Sequence, residues 1–386
     1  MKFFLFLFAL TLALPLTAAP FIPASDTQIL QQLPTKNSAG NHELRSLKIS
    51  LAQNPNDLAL ALKTARQYIE IGRRESDPRY AGYAQAALAP WWNRADAPIE
   101  VRVLRATLAQ STHQFDSALN ELNGVLKIDK THPQAWLTRA SILQVQGRYA
   151  EAMKSCQALT RITSPLVVHM CITGVGSVSG YAQPSYQQLK QAYEQYGKTE
   201  PELTSWVLTQ LAEMATRLGN NKDAENYFRA ALKTDAEDSY LLAAYADFLL
   251  EQKRATEVMT LLTDKTRADG LLLRYAEALK LTQHAQAKDY ADQLQQRFAS
   301  AALRGDLSHE REQARFALHL QNNAAAALQL AQKNWHTQKE PADLRILLEA
   351  ALAAKDTKAV ADVKAWLLQN KLQDVTLDKN LLAARN

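Results

Sequence analysis

The sequence predicts an all-α fold, a right-handed α-solenoid of roughly nine helix-turn-helix repeats. Three observations carry that expectation. Segments of the chain superimpose at a constant shift, so that Val103 falls on Leu137 and Ala106 on Ala140. The composition suits helices: 47% of residues are hydrophobic, alanine and leucine are abundant, and only 12 glycines are spread over 386 positions. A small residue recurs in the middle of each helix of a pair, where two antiparallel helices can approach closely.

The elements follow in order. Residues 1–19 read as a secretory signal peptide: Lys2, an apolar run from Phe3 to Leu14 broken only by Thr11, then Pro15 and small residues up to a cleavage site near Ala19. That run is shorter than the ~20 residues needed to span a bilayer. The mature chain is therefore expected in the periplasm or outside the cell, with no transmembrane segment. Residues 20–41 read as a linker holding a short helix at 25–33, capped by Ser25 or Asp26. A helix from His42 to Gln53 is expected to shield the N-terminal edge, the solenoid to occupy 42–370, and residues 371–386 to form a frayed tail or a capping turn.

The repeat is clearest between Val103 and Cys156. The 34-residue offset aligns Ala106 with Ala140, His113 with Gly147, Phe115 with Tyr149 and Ala118 with Ala152. Neither helix of such a pair buries its apolar face alone, and stacking successive pairs builds one continuous core. The register also locates two insertions. The step from Ala65 to Ala106 exceeds the regular period by seven positions. The excess falls in Arg73 to Arg79, because Ala84 to Ala118 returns to the regular step. The step from Gly174 to Ala212 exceeds it by four, which places the extra positions around Gly180. After Ala246 the pattern degrades, and the unit containing Leu271 to Phe298 is shortened.

The segment from His132 to Cys156 resembles the tetratricopeptide repeat family, with Trp136, Ala140, Gly147, Tyr149 and Ala152 at the family's positions and Pro133 at the junction; Arg139 stands where leucine is usual. Leu211, Ala212, Gly219, Ala224, Phe228 and Ala231 match it equally well. The resemblance implies a non-enzymatic scaffold or assembly adaptor that binds a peptide segment of another envelope or secreted protein. The binding surface would be the concave groove, lined by the first helix of each pair. Helical spacing places Arg66, Thr107, Gln110, Ser141, Gln144, Trp206, Thr209, Glu213, Tyr240 and Asp247 on that face. The Lys and Asn pattern that would clamp a C-terminal carboxylate is absent. An envelope glycan stacked on aromatics such as Trp206 and Tyr240 is the second reading, and an enzyme with dispersed catalytic groups the third.

Other chemistry finds little support. The formal charge of +5, scattered along the chain, does not make a nucleic-acid footprint. Gly174 to Gly180 is the one glycine cluster, but its register puts Gly174 inside a helix rather than in a phosphate-binding turn, so no cofactor is expected. None of the eight histidines pair at the helical spacing that would present two imidazoles to a metal. Cys156 and Cys171 are the only cysteines, on neighbouring helices of successive repeats; they form either a disulfide, worth about 3 kcal/mol by chain entropy, or two buried thiols. Trp91 and Trp92 are adjacent on a helix, so one is expected in the core and the other partly exposed.

Overall fold

The computed structural model describes residues 39–303 and 309–383, so the signal peptide and the helix expected at 25–33 lie outside the described residues. Among the described residues there are 21 α-helices, one 3-10 turn and no strand. Helix α1 (Ala39–Gln53) packs on the first of nine antiparallel pairs. Repeat 1 is α2 (Leu58–Glu75) with α3 (Arg79–Ala87), followed by the short α4 (Ala89–Trp92). Repeats 2 to 4 are α5 (Ile99–Ser111) with α6 (Phe115–Ile128), α7 (Pro133–Val145) with α8 (Tyr149–Ala158), and α9 (Pro165–Ser177) with α10 (Ala182–Tyr196). Repeats 5 and 6 are α11 (Thr204–Arg217) with α12 (Asn221–Thr234) and α13 (Ser239–Glu251) with α14 (Ala255–Leu262). Repeats 7 to 9 are α15 (Asp269–Leu281) with α16 (Ala287–Leu303), α17 (Glu310–His319) with α18 (Ala324–Thr337), and α19 (Pro341–Ala353) with α20 (Thr357–Asn370). Of the expected tail, residues 371–383 are described and cap the array rather than fray: α21 (Val375–Ala383) packs on α19, and Leu377 is fully buried.

Local chemistry starts the first helices. Asp57, Ser164, Asp238 and His132 each accept a backbone N–H from the first turn of α2, α9, α13 and α7, satisfying donors that have no helical partner. Pro133 and Pro165 stand where the missing N–H costs nothing. The register alanines close the pairs: Ala65 and Ala84, Ala106 and Ala118, Ala212 and Ala224 are all buried at the crossings. In repeat 4, Gly176 plays this part, since a methyl group there would lie 2.5 Å from Ser185 Oγ on α10. Arg139 spans the second helices of two repeats, donating to Asn123 Oδ1 at 3.0 Å and Ser155 Oγ at 2.5 Å. Trp91 and Trp92 are both half-buried on α4; the tight turn at Leu88 redirects the chain, so neither ring enters the core fully or leaves it.

The two insertions have different outcomes. The one at Arg73 to Arg79 lengthens α2 to 18 residues, against 13 for α5 and α7, and carries its end outward. The one assigned to the Gly180 turn lies elsewhere. From the start of α9 at Pro165 to that of α10 at Ala182 is the same interval as from Thr204 to Asn221, the starts of α11 and α12, so that turn has ordinary length. The interval from Ala182 to Thr204, by contrast, is four positions longer than that from Asn221 to Ser239, the start of α13. The extra residues therefore lie at 197–203, in the segment that holds the 3-10 turn Pro201–Leu203. The sequence signal near Gly180 misled because its glycines serve packing, not extra length.

Repeats far apart in sequence touch. From the end of α2, Arg73 donates to Asp238 at 2.8 Å, and its guanidinium lies 4.5 Å from the Trp206 ring centre. Asp77 accepts from Arg267 at 3.0 Å. Repeat 1 is thus tied to repeats 5, 6 and 7. At the other end, Lys339 donates its backbone N–H to Val145 O at 2.7 Å, and Glu251 is bonded by Arg345 and by Thr376. The solenoid therefore turns far enough for its first and last repeats to touch its middle ones.

Candidate functional site

One position on the first helices builds the inner wall of the later repeats. It is occupied in turn by Glu213, Asp247, Glu277, Arg315 and Glu349. The steps are regular except around repeat 7, where Glu277 comes four positions early. An equal excess before repeat 8 restores the register. Because these side chains stand one above another, they pair across repeats. Arg315 donates from Nη1 to Asp247 at 2.6 Å and from Nε to Glu277 at 2.7 Å. Asp247 also accepts from Arg274 at 2.5 Å. The His319 ring bridges two repeats, with Nδ1 3.0 Å from Glu277 and Nε2 3.1 Å from Glu349. Glu251 and Arg345 join repeat 6 directly to repeat 9.

These groups surround a cavity of about 690 Å³ on the first helices of repeats 6 to 9. Its lining alternates in charge, with Asp247, Glu251, Glu277, Glu312 and Glu349 opposed by Arg274, Lys280, Arg311, Arg315 and Arg345. Apolar Leu250, Leu281, Leu318 and Ile346 fill the spaces between them. The pairing fixes protonation. Burial alone would raise the Glu277 carboxyl, but the Arg315 charge and hydrogen bonds from Arg315 and His319 bring it down to about 2. Burial alone would lower His319, but bonds to Glu277 and Glu349 raise it to about 9. Desolvation likewise opposes the charge on Asp247, and Arg274 and Arg315 together hold it below the usual carboxylate range. Asp247, Glu277, Arg315 and His319 therefore stay charged through neutral pH.

Next to the cavity, Tyr240 donates its hydroxyl to Glu213 at 2.8 Å. Tyr240 keeps 57% of its surface accessible, yet charges on both walls act on it: Glu213 on α11, and Glu340 and Arg311 from repeats 9 and 8. Its ring therefore lies between the first helix of repeat 5 and the charged groups of repeats 8 and 9. Burial raises the Glu213 carboxyl, with Arg217 and Tyr240 opposing.

The ten residues assigned to the groove do not form one surface. Of them, only Asp247 lines the cavity. Trp206, 47% exposed, carries Arg73 on its face. Thr209 is a correction: it is 5% exposed and donates to Ser205 O at 2.7 Å, so it packs between helices. The repeat period fixes which face a side chain shares with its equivalents, but not how closely the next helix covers it. In the early repeats Arg66 donates to Glu100 at 2.8 Å and Gln110 to Ser141 at 3.1 Å, while Thr107 bonds back to Val103 O and Gln144 lies half-buried near Gly174. Trp366 and Leu372 pack on the apolar cluster that holds Val175 and Val178, so the open groove expected along repeats 1 to 6 is interrupted at repeat 4. Sequence reading missed Arg274, Glu277, Arg311, Arg315, His319, Arg345 and Glu349. The signal was present, since continuing the inner position past Asp247 with a shortened repeat 7 meets Glu277, Arg315 and Glu349.

Cys156 and Cys171 are joined by a disulfide, with Cα atoms 5.4 Å apart, which tethers α8 to α9. Among the described residues no group of three or more His, Cys, Asp and Glu side chains is arranged to hold a metal, and no helix is long and apolar enough to cross a membrane.

Residues 207–238, covering most of α11 and all of α12, match the family model for the tetratricopeptide repeat. That one helix pair is matched as a tetratricopeptide repeat, within an all-helical solenoid of stacked pairs. No curated protein sequence matches it. Among solved structures, the Rap protein complexed with competence and sporulation factor is similar at 12% identity, covering 88% of this chain and 97% of that one with a TM-score of 0.45. Yeast Tom70 is similar at 12% identity over 90% of this chain and 86% of that one, with a TM-score of 0.41. A chain of the APC/C hetero-tetramer Cut9–Hcn1 is similar at 12% identity over 81% of this chain, with a TM-score of 0.44; this chain spans 52% of that one.

Proposed function

We propose that this protein is an exported, non-enzymatic scaffold that holds a segment of another envelope or secreted protein in the lumen along repeats 5 to 9. Tetratricopeptide-repeat proteins generally mediate protein–protein interactions, and the observation that supports the location is the pairing of Tyr240 with Glu213 beside the charged cavity. An accessible aromatic ring next to a preorganised row of charges suits a polypeptide, which offers apolar and charged groups in alternation. Export is supported by the leader-like first residues and by the Cys156–Cys171 disulfide, since such bonds persist in oxidising compartments.

Two features favour this reading over its rivals. The sugar stacking expected from Trp206 and Tyr240 together needs both rings free, and the Arg73 guanidinium covers Trp206 at 4.5 Å, leaving Tyr240 alone. Proton-transfer catalysis near neutral pH needs a group poised there and open to a substrate; on the cavity wall Glu277 is held at about 2 and His319 at about 9, while Asp343, raised to about 6 by burial, is bonded by Asn334 away from the lining. Their pairing reads as a ladder that fixes the curvature of the late repeats. The test is affinity capture from envelope extract with the wild-type chain, Glu213→Ala and Tyr240→Ala, alongside Ile128→Ala on the exposed outer surface. The reading expects a partner lost from both inner variants and retained by the outer one. Unchanged capture by all three variants removes the lumen as the binding surface.

A further inference from the structure

Three glycines with left-handed φ mark the turns of repeats 3, 4 and 5: Gly147 at 73°, Gly180 at 96° and Gly219 at 78°. Each is a seat for a side chain from the end of the chain. A methyl group on Gly147 would lie 2.6 Å from the Trp366 ring, one on Gly180 would lie 3.2 Å from Lys371 Cβ, and one on Gly219 would lie 3.4 Å from Val375 Cγ1. The short stretch from Trp366 to Val375 therefore crosses three repeats whose turns are far apart in sequence. Next to this seat the backbone of Lys339 is gripped as a bound peptide would be, with its N–H donated to Val145 O at 2.7 Å and its carbonyl accepting from the Tyr149 hydroxyl at 3.4 Å.

We infer that the rim made by these three turns is a docking surface in its own right, and that the chain's own segment from Trp366 to Val375 is its resident ligand, an intramolecular latch that exchanges for a partner segment offering an aromatic, a base and a branched aliphatic in the same order. The interface carries a standing cost that favours exchange, because Trp366 Nε1 is buried without a hydrogen-bond partner and its release returns that donor to water. Trp366 is also shared between two apolar clusters, that of repeats 2 to 4 and that of repeats 8 and 9, so its release separates the two. The seats fit this role: the left-handed backbone favours glycine, and glycine leaves each turn open to whatever lies across it. The inference is independent of the lumen reading, because the surface lies on the outer edge of the turns and its probe is the chain's own sequence.

The experiment is amide hydrogen exchange on the full chain, comparing wild type with Trp366→Ala. Exchange at the turns 146–148, 178–181 and 218–220 and over 371–383 is expected to accelerate by about 10-fold or more, with α11 to α14 unchanged, as for a sub-global opening. A synthetic peptide of residues 362–380, added to the Trp366→Ala chain, restores protection at the three turns, and the same peptide carrying Trp366→Ala does not. Val375→Ala, a smaller cut at the far seat, gives the same pattern more weakly and serves if the first variant folds poorly. Acceleration spread evenly over all nine repeats, or failure of the peptide to restore protection, overturns the inference.

Discussion

Arg73 donates from Nη1 to Asp238 at 2.8 Å, and this one bond joins the end of repeat 1 to the start of repeat 6. Asp238 has a second duty, since its Oδ1 accepts the Leu241 N–H at 3.0 Å and starts α13. Its side chain is almost wholly buried, so removing Arg73 strands a carboxylate, while removing Asp238 loses both the closure and the cap. Arg73→Ala is expected to cost about 2 kcal/mol and Asp238→Ala about 3 kcal/mol in chemical denaturation. The double variant is expected to fall short of the sum by about 1 kcal/mol. Strict additivity would show that the two side chains do not hold the superhelix closed.

The ladder predicts a pH dependence on the alkaline side. His319 has its pKa raised to about 9 in the folded chain. Its contribution is therefore complete below the unfolded value of about 6.5 and lost as pH rises through about 9. The groups facing it are Glu277, Glu349 and Arg315, and Glu277, held at about 2, stays charged throughout that window. Because the imidazole is about a third exposed, the loss is discounted to about 1 kcal/mol. Thermal melts from pH 6 to 9.5 should show stability falling with an inflection near the folded value, and His319→Gln should remove that inflection. An unchanged profile in the variant rules the ladder out as its source.

The Cys156–Cys171 bond closes a loop of 15 residues between α8 and α9. The chain-entropy model assigns it about 3 kcal/mol. Reduction, or Cys171→Ser, should lower the thermal midpoint without changing helix content by circular dichroism. Intact mass before and after reduction should differ by two hydrogens; equal masses would mean that the thiols are free.

Much of the fold was legible because the repeat period is a packing rule. Each Ala at a crossing, such as Ala106 or Ala212, must be small whatever surrounds it, so the helices and their partners follow from the sequence. The long end of α2 was visible as seven extra positions, but its purpose was not, because Asp238 and Trp206 approach it only after several repeats have turned the chain. The inner charges were half visible. Glu213 and Asp247 share a register, but Arg315 and His319 acquire meaning only from the carboxylates opposite. Leu377 looked like part of a polar tail because a nine-residue helix with one buried leucine gives a weak periodic signal.

Placing a photo-reactive phenylalanine analogue at Tyr240, and separately at the exposed outer Ile128, tests the account most directly. Irradiation in the presence of envelope extract is expected to join a polypeptide to position 240 and not to position 128. The same adduct should be absent when Glu213→Ala is combined with the label at 240. An adduct at position 128 alone, or one at position 240 that survives Glu213→Ala, would contradict the claim that the inner face of repeats 5 to 9 is where the protein holds its partner.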